Sequence, residues 1–510
     1  MFSRKLFLVL TMMLAFVFCE AQKIVYSEPE RDDSRRLNFE IVGKINGNFL
    51  VYKNIRNKNW ITVLDNDMNV VSREEQDYVP DNDRMINADF FPYGDFAYMI
   101  YQYQRKNVIY CMASKIDGNG KLVGDVMQLD TTHLSFAADN RIYTVITSEN
   151  KSQIAVFKIN SKNKKLYVMT TLLFDNDLSL KKKSVINIPM EERNDYLGEF
   201  QLDNNGNLVF TRFVRKGNDN ISDASFIIKY AQADTLLYRA LNLEKTWLDE
   251  IHIKVDNSNS RIFLTSYYYN ERRGNVDGLY FYVWDLNSSK PILENINIFS
   301  DELRREARGE SGVKTAFNNF FIQDIITRRD GGFLIASEAY YTTSRYNSWN
   351  RWDYLYGSPF MNQGWNSYYY SPYYNRLWMN SRFYGNNNRG ARYHADNIVV
   401  FSFDSKGQPE WNNVIGKAQF NDENDDLISY QLMNTGSEIH FLFNQPERRN
   451  NLLTDFTITP DGTLSRNPTL KNLDRGHEFM TKYGKQVSSK QIIIPCVYRN
   501  SICFAKIEYN

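Results

Sequence analysis

Apolar residues in this chain come in short runs, often alternating with polar ones, and polar turn clusters separate them almost from end to end. Runs such as FIIKY, LYFYVWDL, NIVVFSF, QIAVFKI and FLIASEAYY are rich in Val, Ile, Phe and Tyr, which suit a pleated, half-buried surface. Two kinds of turn alternate between the runs. One is led by aspartate: LDNDMNVV at Asp65, KIDGNGKLV at Asp117, LFDNDLSL at Asp175, YAQADTLLY at Asp234, VWDLNSSKPI at Asp285, FDSKGQPEW at Asp404 and TPDGTLS at Asp461. The other falls between these, as in KINGNFLVY, FPYGDFAYM, DNNGNLVFT, RRDGGFLIA and MNTGSEIHF. Asp and Asn suit such turns because their side chains bond nearby backbone N–H groups, and glycine because it accepts positive φ. Successive Asp-led turns lie about 50–60 residues apart, except for the step from Asp285 to Asp404, which is about twice that. Two hairpins per period is what a four-stranded antiparallel blade requires, so the pattern predicts an all-β chain folded as a β-propeller. The repeats count to eight blades. Seven is the competing count, because the third and last copies have weaker turns.

The ends of the chain support a closed ring. The last period reads HEFMTKYGKQ, IIIPCVYRN and SICFAKIEYN and stops where its final turn should come. QKIVYSEPE near the start can supply the missing strand, which predicts Lys23 to Ser27 pairing beside Cys503 to Tyr509 and leaves no open edge. Ahead of it, Arg4 and Lys5 followed by LFLVLTMMLAFVF form an export signal too short to span a membrane as a mature helix. Cys19-Glu20-Ala21 points to cleavage before Gln22, and Phe18 is a poor neighbour for a lipid-bearing Cys19. The expected mature protein is therefore a single propeller domain over residues 22–510, outside the cytoplasm and without a transmembrane segment. One short helix is expected in SDELRREARGES, with Ser300 as its cap.

Composition narrows the function classes. A formal net charge of +1 over 510 residues gives no bulk attraction for nucleic acid or another polyanion. Three cysteines after the leader, Cys111, Cys496 and Cys503, make no disulfide framework. In PCVYRNSIC a turn at Arg499-Asn500 would set Cys496 opposite Cys503, read as buried thiols, with a disulfide as the alternative. His133, His252, His394, His440 and His477 form no HExxH or other close pair and read as strand and loop residues. There is no GxSxG and no phosphate loop. The run from Asp203 to Asn207 lacks the spaced carboxylates of a calcium loop. On these grounds no catalytic set, metal ligand or cofactor is expected.

The sharpest functional signal is the excess between Asp285 and Asp404, a segment from Tyr341 to His394 that interrupts a blade between its second and third strands. It holds Trp349, Trp352, Trp365 and Trp378, four of the eight tryptophans, with six arginines against the one acid Asp353. Tyr and Trp bring rigid contact area with a polar handle, and Arg adds bidentate bonds, so this is the composition of a binding surface. Trp349, Arg351, Trp352, Trp365, Tyr369, Tyr373, Arg376 and Trp378 are the candidate contacts. The segment lies outside every repeat and is expected to add little to stability. Basic second-to-third-strand loops and acidic connections between blades should share its face and neutralise one another. The expected function is a non-enzymatic propeller that binds a protein or cell-envelope component, or a glycan, through this face. The alternative is a carbohydrate-active propeller, hydrolase or lyase, since the fold hosts both.

Overall fold

The computed structural model describes residues 22–509 except 31–38, 56–57, 81–83, 136, 139–140, 164–165, 191–194, 216–219, 310–311, 345–350, 352–354, 356–368, 371–390, 423, 448–449 and 468–475. It is almost all β, with eight antiparallel sheets built on four strands in line, the repeat of an eight-bladed β-propeller. Blade 4 shows the unit: Asp195–Leu202, Leu208–Val214, Asp223–Lys229 and Leu236–Ala240 pair in that order. Its second and third strands are mostly buried, and its fourth is half-exposed at the rim.

The Asp-led turns join the third strand to the fourth, as their spacing predicts. At Asp65, Asp117 and Asp404 one carboxylate oxygen accepts the N–H groups two and four residues on, at 2.8–2.9 Å. The left-handed residue is the third after the aspartate, not the aspartate itself. Gly120 and Gly407 take it, but so do Met68 (φ 62°) and Leu178 (φ 66°). Both of those side chains are buried, which outweighs a left-handed cost of about 1–2 kcal/mol. The same device closes the first hairpin of blade 4, where Asp203 accepts from Asn205 and Asn207 and Gly206 takes the left-handed slot.

Ring closure is as the repeats require. Lys23–Tyr26 pairs antiparallel with the last strand, from Lys23↔Glu508 to Tyr26↔Ala505, and becomes the fourth strand of blade 8. Arg499 and Asn500 (φ 47° and 61°) make the primed turn that sets Cys496 directly opposite Cys503, both buried and free. The short helix is Asp301–Ala307, and Ser300 Oγ accepts the Leu303 N–H at 3.2 Å. Among the described residues no helix is long and apolar enough to cross a membrane.

The chain divides into two units. The first comprises Met1–Gln76, Asp117–Lys121 and Asp426–Asn510, with blades 1, 7 and 8. Phe39, Phe49, Ile493 and Phe504 form part of its core. The second comprises Asp77–Ile116 and Leu122–Asp425, with blades 2 to 6. Its largest core is aromatic, with Phe281, Phe333 and Phe403 in mutual contact and Phe299, Phe317 and Phe401 beside them.

Candidate functional site

Within the second unit the first strands of blades 4 and 5 run side by side, and each is irregular at the same level. In blade 4 the pairing slips between Gly198↔Thr211 and Gln201↔Val209, so Glu199 and Phe200 oppose Phe210 alone. This is a β-bulge. It lets Phe200 turn inward to stack on Phe210 at 4.8 Å, and it holds Glu199 at φ 54°, aimed at the next blade. In blade 5 the first strand is split into Trp247–Leu248 and His252–Asp256, both paired with Arg261–Tyr269. Asp249, Glu250 and Ile251 occupy the interruption. The two irregularities meet: His252 Nδ1 lies 3.8 Å from Glu199 Oε2, and His252 Nε2 lies 3.2 Å from Glu250 Oε2. One ligand-capable atom from each of the three residues lies within 4.8 Å of the others.

The surroundings fix this cluster. Glu199 Oε2 accepts the Ile253 N–H at 3.4 Å, and Gln201 accepts the Val255 N–H at 2.9 Å while donating its amide to the Ile253 carbonyl. Blade 4 thus grips the strand that carries His252. The cluster is only partly open to solvent, with side-chain exposures of 12% for Glu199, 28% for Glu250 and 11% for His252. Its chemistry is that of a proton relay between imidazole and carboxylates, or of a cation held by one nitrogen and two carboxylates.

Beside Glu250, Asp249 is fully buried and paired with Arg351 of the insertion, which bonds it through Nε at 2.7 Å and again through Nη2. Arg351 also donates to the Asn318 carbonyl at 3.0 Å and stacks its guanidinium 3.9 Å from the centre of Phe321. Burial pushes Arg351 down, but the Asp249 carboxylate more than reverses this, so the guanidinium is charged. Burial, with the Asp249 charge added, holds the Tyr269 hydroxyl well above its ordinary range, and that hydroxyl bonds Asp249 as well.

The insertion is not as separate as its composition suggests. Tyr341–Ser344 and Ala391–His394 extend the second and third strands of blade 6, from Tyr341↔His394 to Ser344↔Ala391. Arg351 is a buried anchor on Asp249, so its side chain is engaged inside the protein. Tyr369 and Tyr370 pair by backbone with Asn160 and Ile159 of blade 3. Trp349, Trp352, Trp365, Tyr373, Arg376 and Trp378 lie outside the described residues. In a four-stranded blade the second-to-third-strand loop and the entry to the first strand share one end, so the insertion springs from the end at which Trp247 enters blade 5, while His252, opposite Thr265, lies midway along that blade. Ion pairs such as Lys58–Glu75 at 2.6 Å and Arg392–Asp422 at 2.6 Å supply the expected neutralisation between charged loops. A cavity of about 140 Å³ behind Tyr341 and Asp396 has room for only a few waters.

His252 was expected to be an ordinary strand residue. Its grouping with Glu199 was hidden because the two lie on different blades. Half the signal was local: in LDEIHIKVD, Glu250 and His252 stand two apart, the spacing that puts side chains on one face of a strand.

No family model matches the sequence, and no curated protein is similar to it. Similar solved structures exist. Prolyl oligopeptidase B from Galerina marginata matches with a TM-score of 0.42 and 9% identity over 92% of this chain and 56% of its own, so this chain spans little more than half its length. The β-propeller domain of the Trilobed protease from Pyrococcus furiosus matches at 0.38 and 10% identity, over 84% of this chain and 94% of its own. An ulvan lyase matches at 0.37 and 10% identity, over 83% and 92%. The expectation of a non-enzymatic binder is corrected on this finding, since these propellers belong to enzymes, and it is set aside. At such identities the likeness speaks to the fold alone, so any chemistry has to come from this chain's own side chains.

Proposed function

We propose that the chain is a carbohydrate-active propeller enzyme whose reaction centre is Glu199, Glu250 and His252. One observation carries this reading: an imidazole and two carboxylates from adjacent first strands converge within 4.8 Å, beside the anchor of an insertion rich in tyrosine and tryptophan. Acid–base groups in mutual contact are what proton transfer at a sugar carbon or a glycosidic oxygen needs. Aromatic faces suit sugar rings, and the insertion holds four tryptophans among many tyrosines. A serine-peptidase reading finds no support, because the sequence has no GxSxG.

Elimination suits the geometry better than hydrolysis. Glycoside hydrolases set two carboxyl groups about 5–5.5 Å or about 6.5–9.5 Å apart, with the scissile bond between them. Here His252 stands between the carboxylates, 3.2 Å from one and 3.8 Å from the other, where that bond would have to lie. The export signal at the N-terminus, on this reading, delivers the enzyme to extracellular or envelope glycans.

The test is incubation of the purified chain with a panel of neutral and uronate-containing polysaccharides, followed by chromatography and ultraviolet absorbance. The expected result is shortening of an acidic glycan with unsaturated, absorbing ends. Shortening without absorbance would assign hydrolysis instead. No shortening of any glycan would overturn the reading.

A further inference from the structure

We propose that the insertion positions the two carboxylates of the cluster: Arg351 holds the stretch that carries Glu250, and the backbone of Tyr369 and Tyr370 supports the bulge that carries Glu199. This rests on reading the cluster as the reaction centre. Both carboxylates sit where a ladder is broken. Glu199 lies in the bulge of blade 4, and Glu250 lies between the pairs Leu248↔Tyr268 and His252↔Thr265, where the ladder of blade 5 is interrupted. Regular pairing fixes neither residue, so their positions depend on the contacts made by their neighbours.

At Glu250 the contact is one residue away. Arg351 grips Asp249 through Nε at 2.7 Å and through Nη2, and donates from Nη1 to the Asn318 carbonyl at 3.0 Å. Asn318 stands just ahead of the first strand of blade 6, Phe320–Thr327, and Phe321 of that strand lies under the guanidinium. One planar fork therefore ties the break in blade 5 to blade 6 and fixes direction as well as distance. Within blade 5 the Asp249 N–H donates to Ser266 Oγ at 3.1 Å. At Glu199 the support comes from the other side. The first strand of blade 3 pairs along the second only as far as Thr144↔Phe157, and the insertion takes up the ladder two residues on, at Ile159↔Tyr370 and Asn160↔Tyr369. Phe157 packs on Phe200, the bulge residue beside Glu199, with ring centres 4.7 Å apart, and Ile159 shares their core. Arg351 and Tyr369 belong to one insertion, so a single segment is fastened to blade 5 and to blade 3, with Glu199 on blade 4 between them. A misplacement of about 1 Å at a reacting group costs about 100-fold in rate. Arg351 and the Tyr369–Tyr370 backbone are thus positioning groups, which act through Glu250 and Glu199.

The test is steady-state kinetics of the full chain and of Arg351→Lys, Tyr369→Pro and Tyr370→Pro on the polysaccharide the parent cleaves best, beside hydrogen–deuterium exchange of each. Arg351→Lys leaves Asp249 a charged partner but loses the two-point grip. Proline removes a backbone N–H, and in an antiparallel pair alternate residues bond to the neighbouring strand, so one of the two proline variants breaks the pairing. Arg351→Lys and that proline variant should each lower kcat by about tenfold or more with KM within about twofold, as expected when an interaction realised only in the transition state is lost. Exchange should quicken at residues 249–253 in Arg351→Lys and at residues 198–202 in the proline variant, with the other blades as in the parent. A raised KM with kcat unchanged would make the insertion a binding surface alone and overturn the proposal. A fall in kcat with exchange quickened in every blade would show a merely structural role and overturn it too. A parent that cleaves no glycan would sink the enzyme reading, and exchange then decides the positioning: local quickening beside Glu250 and Glu199 upholds it, and parent-like exchange at both places overturns it.

Discussion

Replacing Arg351 with methionine should be among the most damaging single changes outside the aromatic core. Asp249 is fully buried and ion-paired with Arg351. Two unit charges about 4 Å apart attract by about 4 kcal/mol at an effective dielectric constant near 20. Removing one partner of a buried pair costs about 3–5 kcal/mol, because the remaining charge is stranded. The stacking of the guanidinium on Phe321 adds to the loss, while the bond from Tyr269 to Asp249 offsets part of it. A net loss of about 3–5 kcal/mol is expected. Exchanging residues 345–390 for a short linker should cost a similar amount, although loop closure alone would be nearly neutral. The assay is urea denaturation followed by circular dichroism, with Arg351→Met, Asp249→Leu and the double variant compared in a thermodynamic cycle. Asp249→Leu with Arg351→Met should recover much of the loss, since an apolar pair strands no charge. An Arg351→Met variant within about 1 kcal/mol of the parent, or a double variant that loses the sum of the single losses, would refute the anchor role.

Gly206→Ala should destabilise by about 1–2 kcal/mol or more, because φ is +85° and the new Cβ would stand 2.9 Å from Leu173, read from the shift in urea midpoint. Removing residues 22–26 should open the last strand to proteolysis and lower the melting temperature, since Ile24 and Tyr26 pack on the core of blades 7 and 8; an unchanged digestion pattern would speak against closure by this strand. Burial pushes Asp130 up, but bonds and charge from Lys158, with bonds from Lys183 and Tyr143, bring it net below the ordinary carboxylate range. A pKa lower in the folded than in the unfolded state gives stability that is full above the ordinary aspartate value of about 3.9 and is lost as pH falls through the folded value. The stability advantage of the parent over Asp130→Asn should therefore shrink below about pH 4, and a constant advantage down to pH 2 would contradict the assignment.

The blade repeat was legible because each Asp-led turn is local, its aspartate bonding N–H groups only two and four residues on. Ring closure was legible because a missing strand at one end matched a spare strand at the other. The cluster was not. Glu199 reaches His252 only through a bulge that no spacing rule marks, and the two lie 53 residues apart, about one blade period. The insertion was visible by composition, but the burial of Arg351 depends on an aspartate about 100 residues upstream, a pairing that charge counting cannot choose. The likeness of the Asp203 turn to a calcium loop ends with a carboxylate spent wholly on its own turn.

The most direct measurement is kcat/KM on the best glycan for the parent, Glu250→Gln and His252→Gln, beside a thermal melt of each. Glu250 is the most exposed of the three. Loss of a positioned acid–base group should lower kcat/KM by at least about 100-fold with the melt of Glu250→Gln unchanged. Activity within a few-fold of the parent in both variants, on a glycan the parent cleaves, would place the reaction centre elsewhere and contradict the account.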